Sequence, residues 1–256
     1  MDLQLRDRVF IVTGGTRGLG RATAEELVAE GASVVVSGRQ PGAVDAAVEG
    51  LGGRAGSDAV VGVVADNADP ATPGRLIETA RERWGRLDGA LISVGGPPPG
   101  PVSKVTDEQW VAAFGSVFLG GVRLAREVGA ALEQDGSIAF VLSTSVRQPV
   151  PGLSVSNGLR PGLAMVAKDL ADELGPRGIR VNGLMPGRIG TERVAELDEA
   201  TGDPQAARVR WEEQIPLRRY GAPEEFGRVA AFLLSPASSF VTGTMVPVDG
   251  GMTRSL

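Results

Sequence analysis

The chain of 256 residues is 42% apolar and 22% charged and carries a net charge of −5. That balance excludes a disordered chain, and no apolar run approaches the roughly 18–20 residues of a membrane span. Cysteine and histidine are both absent, which excludes disulfides, thiol and Ser-His-Asp catalysis and the commonest metal ligands, so no metal site is expected.

In chain order, a β-branched run at 8–13 predicts a first strand, feeding the glycine-rich stretch Thr13-Gly14-Gly15-Thr16-Arg17-Gly18-Leu19-Gly20 and a helix over 17–30. A strand at 33–37 follows, ending before Gly38 and Arg39, then a helix over 43–49. The third strand, 60–65, runs into Asp66 and Asn67, and a helix is predicted over 72–84. The strand at 90–93 leads into Gly95-Gly96-Pro97-Pro98-Pro99-Gly100-Pro101, read as a stiff active-site loop. A long helix over 106–133, a strand at 137–143, a helix over 154–175 and a strand at 180–185 come next. Residues 190–216 are charged and helical in character. A helix over 223–234 and a strand at 245–248 complete the pattern.

The strands are continuous apolar runs without polar alternation, as in a parallel sheet buried on both faces. Their alternation with helices predicts right-handed crossovers and a single-domain α/β fold: a Rossmann-type doubly wound sheet of about seven strands, spanning 1–256. Glycines between the first strand and its helix allow close backbone approach to a pyrophosphate, whose charge faces the helix N-terminus.

The TGxxxGxG spacing of that loop resembles the short-chain dehydrogenase/reductase superfamily. Further matches are Asp66 after the third strand, Pro186-Gly187-Arg188-Ile189-Gly190-Thr191, Phe240-Val241-Thr242-Gly243 and Val248-Asp249-Gly250-Gly251. The resemblance covers essentially the whole chain. It implies that Gly14, Thr16, Arg17, Gly18, Leu19, Gly20, Ser37, Arg39, Asp66, Asn67, Ser93, Gly95, Pro186, Gly187, Ile189 and Thr191 bind a dinucleotide. Where NAD enzymes usually carry an acid after the second strand, this chain has Gly38 and then Arg39, with Arg17 in the loop. Two guanidiniums and no acid suit a 2′-phosphate, so the expected cofactor is NADP(H).

The resemblance also implies an Asn-Ser-Tyr-Lys tetrad. Counting back from the block Leu170-Ala171-Asp172-Glu173-Leu174 places its serine at Ser143, but its tyrosine at Ser156, its lysine at Arg160 and its asparagine at Val117. The candidate catalytic residues are therefore Ser143, Ser156 and Arg160. Ser143 can donate to a developing oxyanion, while Arg160 can carry charge and contact the nicotinamide ribose but cannot shuttle protons. Ser154 or Ser156 would alternatively serve as helix N-caps, and Pro161 suggests a helix that begins or kinks later than in relatives. The sole tyrosine, Tyr220, is expected to pack rather than react, and Lys168 lies too far along to replace Arg160.

The expected function is an atypical NADP(H)-dependent oxidoreductase passing hydride to a quinone, enone, imine or ketone. A non-redox lyase, dehydratase or cyclase, and a catalytically silent NADP-binding regulator, remain alternatives. By resemblance, 190–216 is a substrate lid with Trp211 or Ile215 toward the cleft. The expected partners are a small-molecule substrate and further copies of the chain, as a homotetramer or dimer. Nucleic acid and membrane are not expected, and the location is read as cytoplasmic.

Overall fold

The computed structural model describes residues 2–55 and 57–255. Seven strands form one parallel sheet: β1 (Val9–Val12), β2 (Ser33–Gly38), β3 (Val60–Val64), β4 (Gly89–Ile92), β5 (Ser137–Val141), β6 (Arg180–Pro186) and β7 (Met245–Val248), in the order β3-β2-β1-β4-β5-β6-β7. Alternate residues of each strand point to opposite faces, and both faces are covered. Val9, Ile11, Ile92 and Phe140 meet one helical layer, made by α3 (Thr72–Trp84), α4 (Asp107–Ala113), α5 (Gly120–Ala131) and α6 (Ser154–Leu174). Phe10, Val12, Val36 and Leu184 meet the other, made by α1 (Gly18–Ala29), α2 (Pro41–Ala55) and α9 (Pro223–Leu234). In that layer α1 and α9 touch backbone to backbone. A Cβ added at Gly227 would stand 2.6 Å from the Ala22 carbonyl oxygen.

Three helical segments differ from the sequence pattern. The helix expected over 106–133 begins at Asp107, where Thr106 and Gln109 form a capping box, and ends at Ala131. Between α4 and α5 it widens into a π segment, Phe114–Leu119. The wider turn is followed by Gly120 lying against the β3–α3 loop, where an added Cβ would meet the Asn67 carbonyl oxygen at 2.4 Å. The second helix is longer than the expected 43–49. The 190–216 stretch is two helices, α7 (Glu192–Glu199) and α8 (Pro204–Gln214), capped by Thr191 and Asp203.

The helix expected over 154–175 spans Ser154–Leu174, and it runs through Pro161 without the later start that the proline suggested. The proline has no N–H, so its Asn157 carbonyl forgoes one helical bond. Neither Ser154 nor Ser156 caps α6. The N-cap is Leu153, and the Ser154 hydroxyl donates instead to the Gly100 carbonyl at 2.8 Å. No described helix is long and apolar enough to cross a membrane.

Candidate active site

Strand order reverses between β1 and β4, which opens a crevice beyond their C-terminal ends. Thr13 and Ser93 bridge it. Thr13 Oγ1 donates to the Ser93 carbonyl at 3.0 Å and accepts from the Ser93 N–H at 2.9 Å. Because all seven strands are parallel, the segments after β1 to β6 meet along this one edge. That brings Gly14, Gly38, Asp66, Ser93, Ser143 and Pro186 to the same side of the molecule.

The glycine loop has the shape a diphosphate needs. Gly14 and Gly18 hold φ of +59° and +56°, which favour glycine. A Cβ on Gly20 would stand 2.4 Å from the Gly14 carbonyl oxygen, so the loop closes on α1 only with glycine there. Arg17 at the N-cap makes no side-chain cap bond, leaving the first-turn amides of Gly18, Leu19 and Gly20 uncapped by it. Uncapped helix amides beside a glycine cradle fit an anion. Buried Ser37 anchors the loop to β2, its carbonyl accepting from the Gly15 N–H at 3.0 Å.

Around this cradle, Thr16 packs over Gly38, where an added Cβ would lie 2.5 Å from Thr16 Cγ2. Arg39 is exposed and makes no ion pair among the described residues. Arg17 lies 3.7 Å from Glu196 of α7, and Glu192 of the same helix comes within 3.9 Å of the Cβ position of Gly18. Asp66 turns its Oδ1 onto the Ala68 N–H at 2.9 Å. The position over Gly95 is open, with nothing within 4 Å. Pro186 ends β6, Gly187 lies against Asp249, and Ile189 is buried. Thr191 accepts from the Val194 N–H at 3.4 Å, capping α7.

Three serines form a chain beside the crevice. Ser143 caps a 3₁₀ turn, Thr144–Val146, its hydroxyl oxygen accepting from the Ser145 N–H at 3.1 Å. Its own proton has no acceptor among the described residues. The Ser145 hydroxyl lies 3.1 Å from that of buried Ser156. One turn further along α6, Arg160 is only 5% exposed. Its Nη1 donates to the Val141 carbonyl, Nη2 reaches the Val94 carbonyl at 3.5 Å, and Nε has no partner. Burial lowers its pKa to about 10, so it stays cationic at neutral pH. The guanidinium is held on the carbonyl of Val94, beyond β4, and on that of Val141, the last residue of β5. Val117 is buried in the π segment, and Lys168 Nζ sits near Gly243, away from Arg160.

A cavity of about 790 Å³ adjoins the serines, between the loop after Ser143, helices α7 and α8, and the C-terminal segment. Trp211 lines it, as expected. Ile215 does not; it is buried against Gly250, whose added Cβ would meet Ile215 Cγ2 at 2.7 Å. Arg188 lies over the Trp211 ring at 4.0 Å and pairs with buried Asp198 at 3.0 Å. Tyr220 donates to the other oxygen of Asp198 at 2.9 Å. Tyr220 is buried and packs, and burial, aided by that bond, pushes its phenol up to about 12.

The sequence reading passed over Arg188, Asp198, Arg210 and Arg254. Only the first was signalled, by its place in the Pro186-Gly187 segment.

A family model described as enoyl-(acyl carrier protein) reductase matches residues 14–253. An oxidoreductase of Sarocladium schorii is 36% identical over 253 residues, covering 98% of each chain. The crystal structure of a levodione reductase superposes with a TM-score of 0.93 at 29% identity, over 98% of this chain and 99% of the other. That of L-sorbose reductase from Gluconobacter frateurii, complexed with NADPH and L-sorbose, gives 0.92 at 28% identity over 100% of both chains.

Proposed function

Because the chain belongs to the short-chain dehydrogenase/reductase family and is an oxidoreductase of that type, we propose that it is an NADP(H)-dependent reductase with an atypical site. The observation that carries the cofactor choice is Gly38. It is packed under Thr16, has no acid in its place, and is flanked by the exposed guanidiniums of Arg17 and Arg39. A 2′-phosphate suits that surface and a bare ribose gains nothing from it. The NADPH complex of the sorbose reductase supports the same reading.

When bound, NADPH supplies the hydride. The chain's own residues bind and orient. Gly14, Gly18, Gly20 and the start of α1 hold the diphosphate. Ser143 donates its free proton to the acceptor oxygen as charge develops there. Ser145 and Ser156 fix the direction of Ser143. Arg160 holds the carbonyls of Val94 and Val141 and adds positive potential at the strand ends. No side chain here is a strong proton donor, which favours acceptors that need none: a quinone, an enone, an imine or an activated ketone, with water as the proton source.

Residues 190–216 act as a lid over one domain. Copies associate through the exposed apolar side chains of Val111, Phe114, Leu119 and Met165.

The test is a titration of the protein with NADPH and with NADH by nicotinamide fluorescence, followed by a screen of these acceptors for NADPH oxidation. Micromolar NADPH binding, much weaker NADH binding and turnover of one acceptor class are expected. Failure to bind either nucleotide overturns the reading.

A further inference from the structure

The cavity beside Ser143 carries more positive charge than its surroundings explain. Among the described residues, three that line it are arginines, Arg188, Arg210 and Arg254, and none is an aspartate or glutamate. This stands out in a chain with a net charge of −5. Arg188 is neutralised by Asp198 and lies over the Trp211 ring. Arg210 and Arg254 are exposed and make no ion pair among the described residues. Charges of one sign around a concave surface focus their field into it. The planar guanidinium fork matches a carboxylate with two parallel hydrogen bonds. Trp211, Leu153 and Leu197 add apolar surface to the wall, and Thr144, Gln148, Thr201 and Gln214 add neutral polar groups. Thr144 lines the same cavity immediately after Ser143, and Arg188 follows Pro186-Gly187, so a molecule seated here lies next to the proposed reaction centre.

We propose that this cavity selects an organic acid: an acceptor whose apolar body rests on Trp211 and whose carboxylate is held by Arg210 and Arg254. The proposal rests on the reductase reading for what happens to the acceptor, but not for the binding itself. A carboxylate is the anion proposed, and a phosphate ester, which the same guanidinium forks also accept, is its competitor in the test.

The test separates the two readings. Benzoate, cinnamate and 2-naphthoate, each beside its methyl ester, and phenyl phosphate are titrated calorimetrically into the protein without nucleotide. The same titrations are run on the Arg210→Ala/Arg254→Ala double variant, and NADPH is titrated separately into both proteins. At least one acid should bind about tenfold or more tightly than its ester, the size of a charge-assisted contact. The double variant should lose that preference while its NADPH affinity stays unchanged. Equal binding of acids and esters, no binding by any acid, tighter binding of phenyl phosphate than of every acid, or a preference that survives in the double variant would each overturn the proposal. Loss of NADPH binding alone would overturn the reductase reading and leave the acid preference standing.

Discussion

The hydroxyl oxygens of Ser145 and Ser156 lie 3.1 Å apart, both buried, and join the turn after β5 to the first turn of α6. Ser145 in turn donates its N–H to Ser143. On the proposed function Ser143 is the reacting group and Ser156 a positioning residue. Ser143→Ala should lower kcat by about 10²–10³, as expected for a lost oxyanion donor, with NADPH affinity unchanged. Ser156→Ala should cost a few-fold in kcat, leave the pH–rate profile unmoved and lower stability by about 1 kcal/mol. Steady-state kinetics over a pH range and urea denaturation check both. A changed pH profile in Ser156→Ala would show it to be a proton carrier.

Arg160 is a buried cation on two carbonyls. Arg160→Ala removes both donors and leaves a cavity, so a loss of about 2–4 kcal/mol is expected by denaturant titration. Arg160→Lys should recover only part of it, because one ammonium cannot reproduce the two-pronged fork. Full recovery by lysine would mean that charge, not geometry, is what the site needs.

Arg17 is shared with Glu196 at 3.7 Å. Glu196→Gln frees the guanidinium and removes a negative charge near the phosphate cradle, so NADPH should bind a few-fold more tightly. Arg17→Ala should weaken NADPH by about tenfold and barely alter NADH. Fluorescence titration of the two variants with both nucleotides decides the matter, and equal effects on NADPH and NADH would assign Arg17 to the diphosphate instead.

Gly38→Asp is the obvious change to turn the site toward NADH, and it should fail alone. The new Cβ would meet Thr16 Cγ2 at 2.5 Å. The double variant Thr16→Ala/Gly38→Asp relieves that contact and should gain NADH affinity that the single variant lacks. NADH titrations of the pair test this.

Tyr220 is the only tyrosine, so its ionisation can be read from near-ultraviolet phenolate absorbance without interference. Burial, and then its bond to Asp198, raise the midpoint from 10.0 to about 12. A raised folded pKa means that the stabilisation is complete below the unfolded value and is lost as pH climbs through the folded one. The native protein should titrate near 12 and the denatured protein near 10. Asp198→Asn should move the native midpoint only partway back, since burial is the larger cause. A native midpoint near 10 would place Tyr220 in solvent.

The sheet was legible because burial on both faces writes strands such as Val34-Val35-Val36 as unbroken apolar runs. The glycine cradle was legible because its residues are contiguous. The π segment was not, because residues 114–119 carry no local signal that separates it from the α-helical pattern on either side. The two helices within 190–216 carried start signals in Thr191-Glu192 and Asp203-Pro204 that a composition reading blurs together. Arg160 aligned with a ribose contact in the sequence. The carbonyls that hold it, those of Val94 after β4 and Val141 at the end of β5, are brought together only by the fold. The arginines of the cavity come from three distant segments, which no local pattern connects.

The backbone contact of Gly227 on Ala22 also sets an order of events during synthesis. The apolar side of α1, with Ala24, Leu27 and Val28, is covered by α9, which carries Phe226 and Ala230. At about 5–20 residues per second, α9 leaves the ribosome on the order of tens of seconds after α1. Throughout that interval the helix that follows the glycine cradle lacks α9 as a neighbour. The apolar side of α1 therefore stays without the cover of α9 until residues more than 190 positions later have been made.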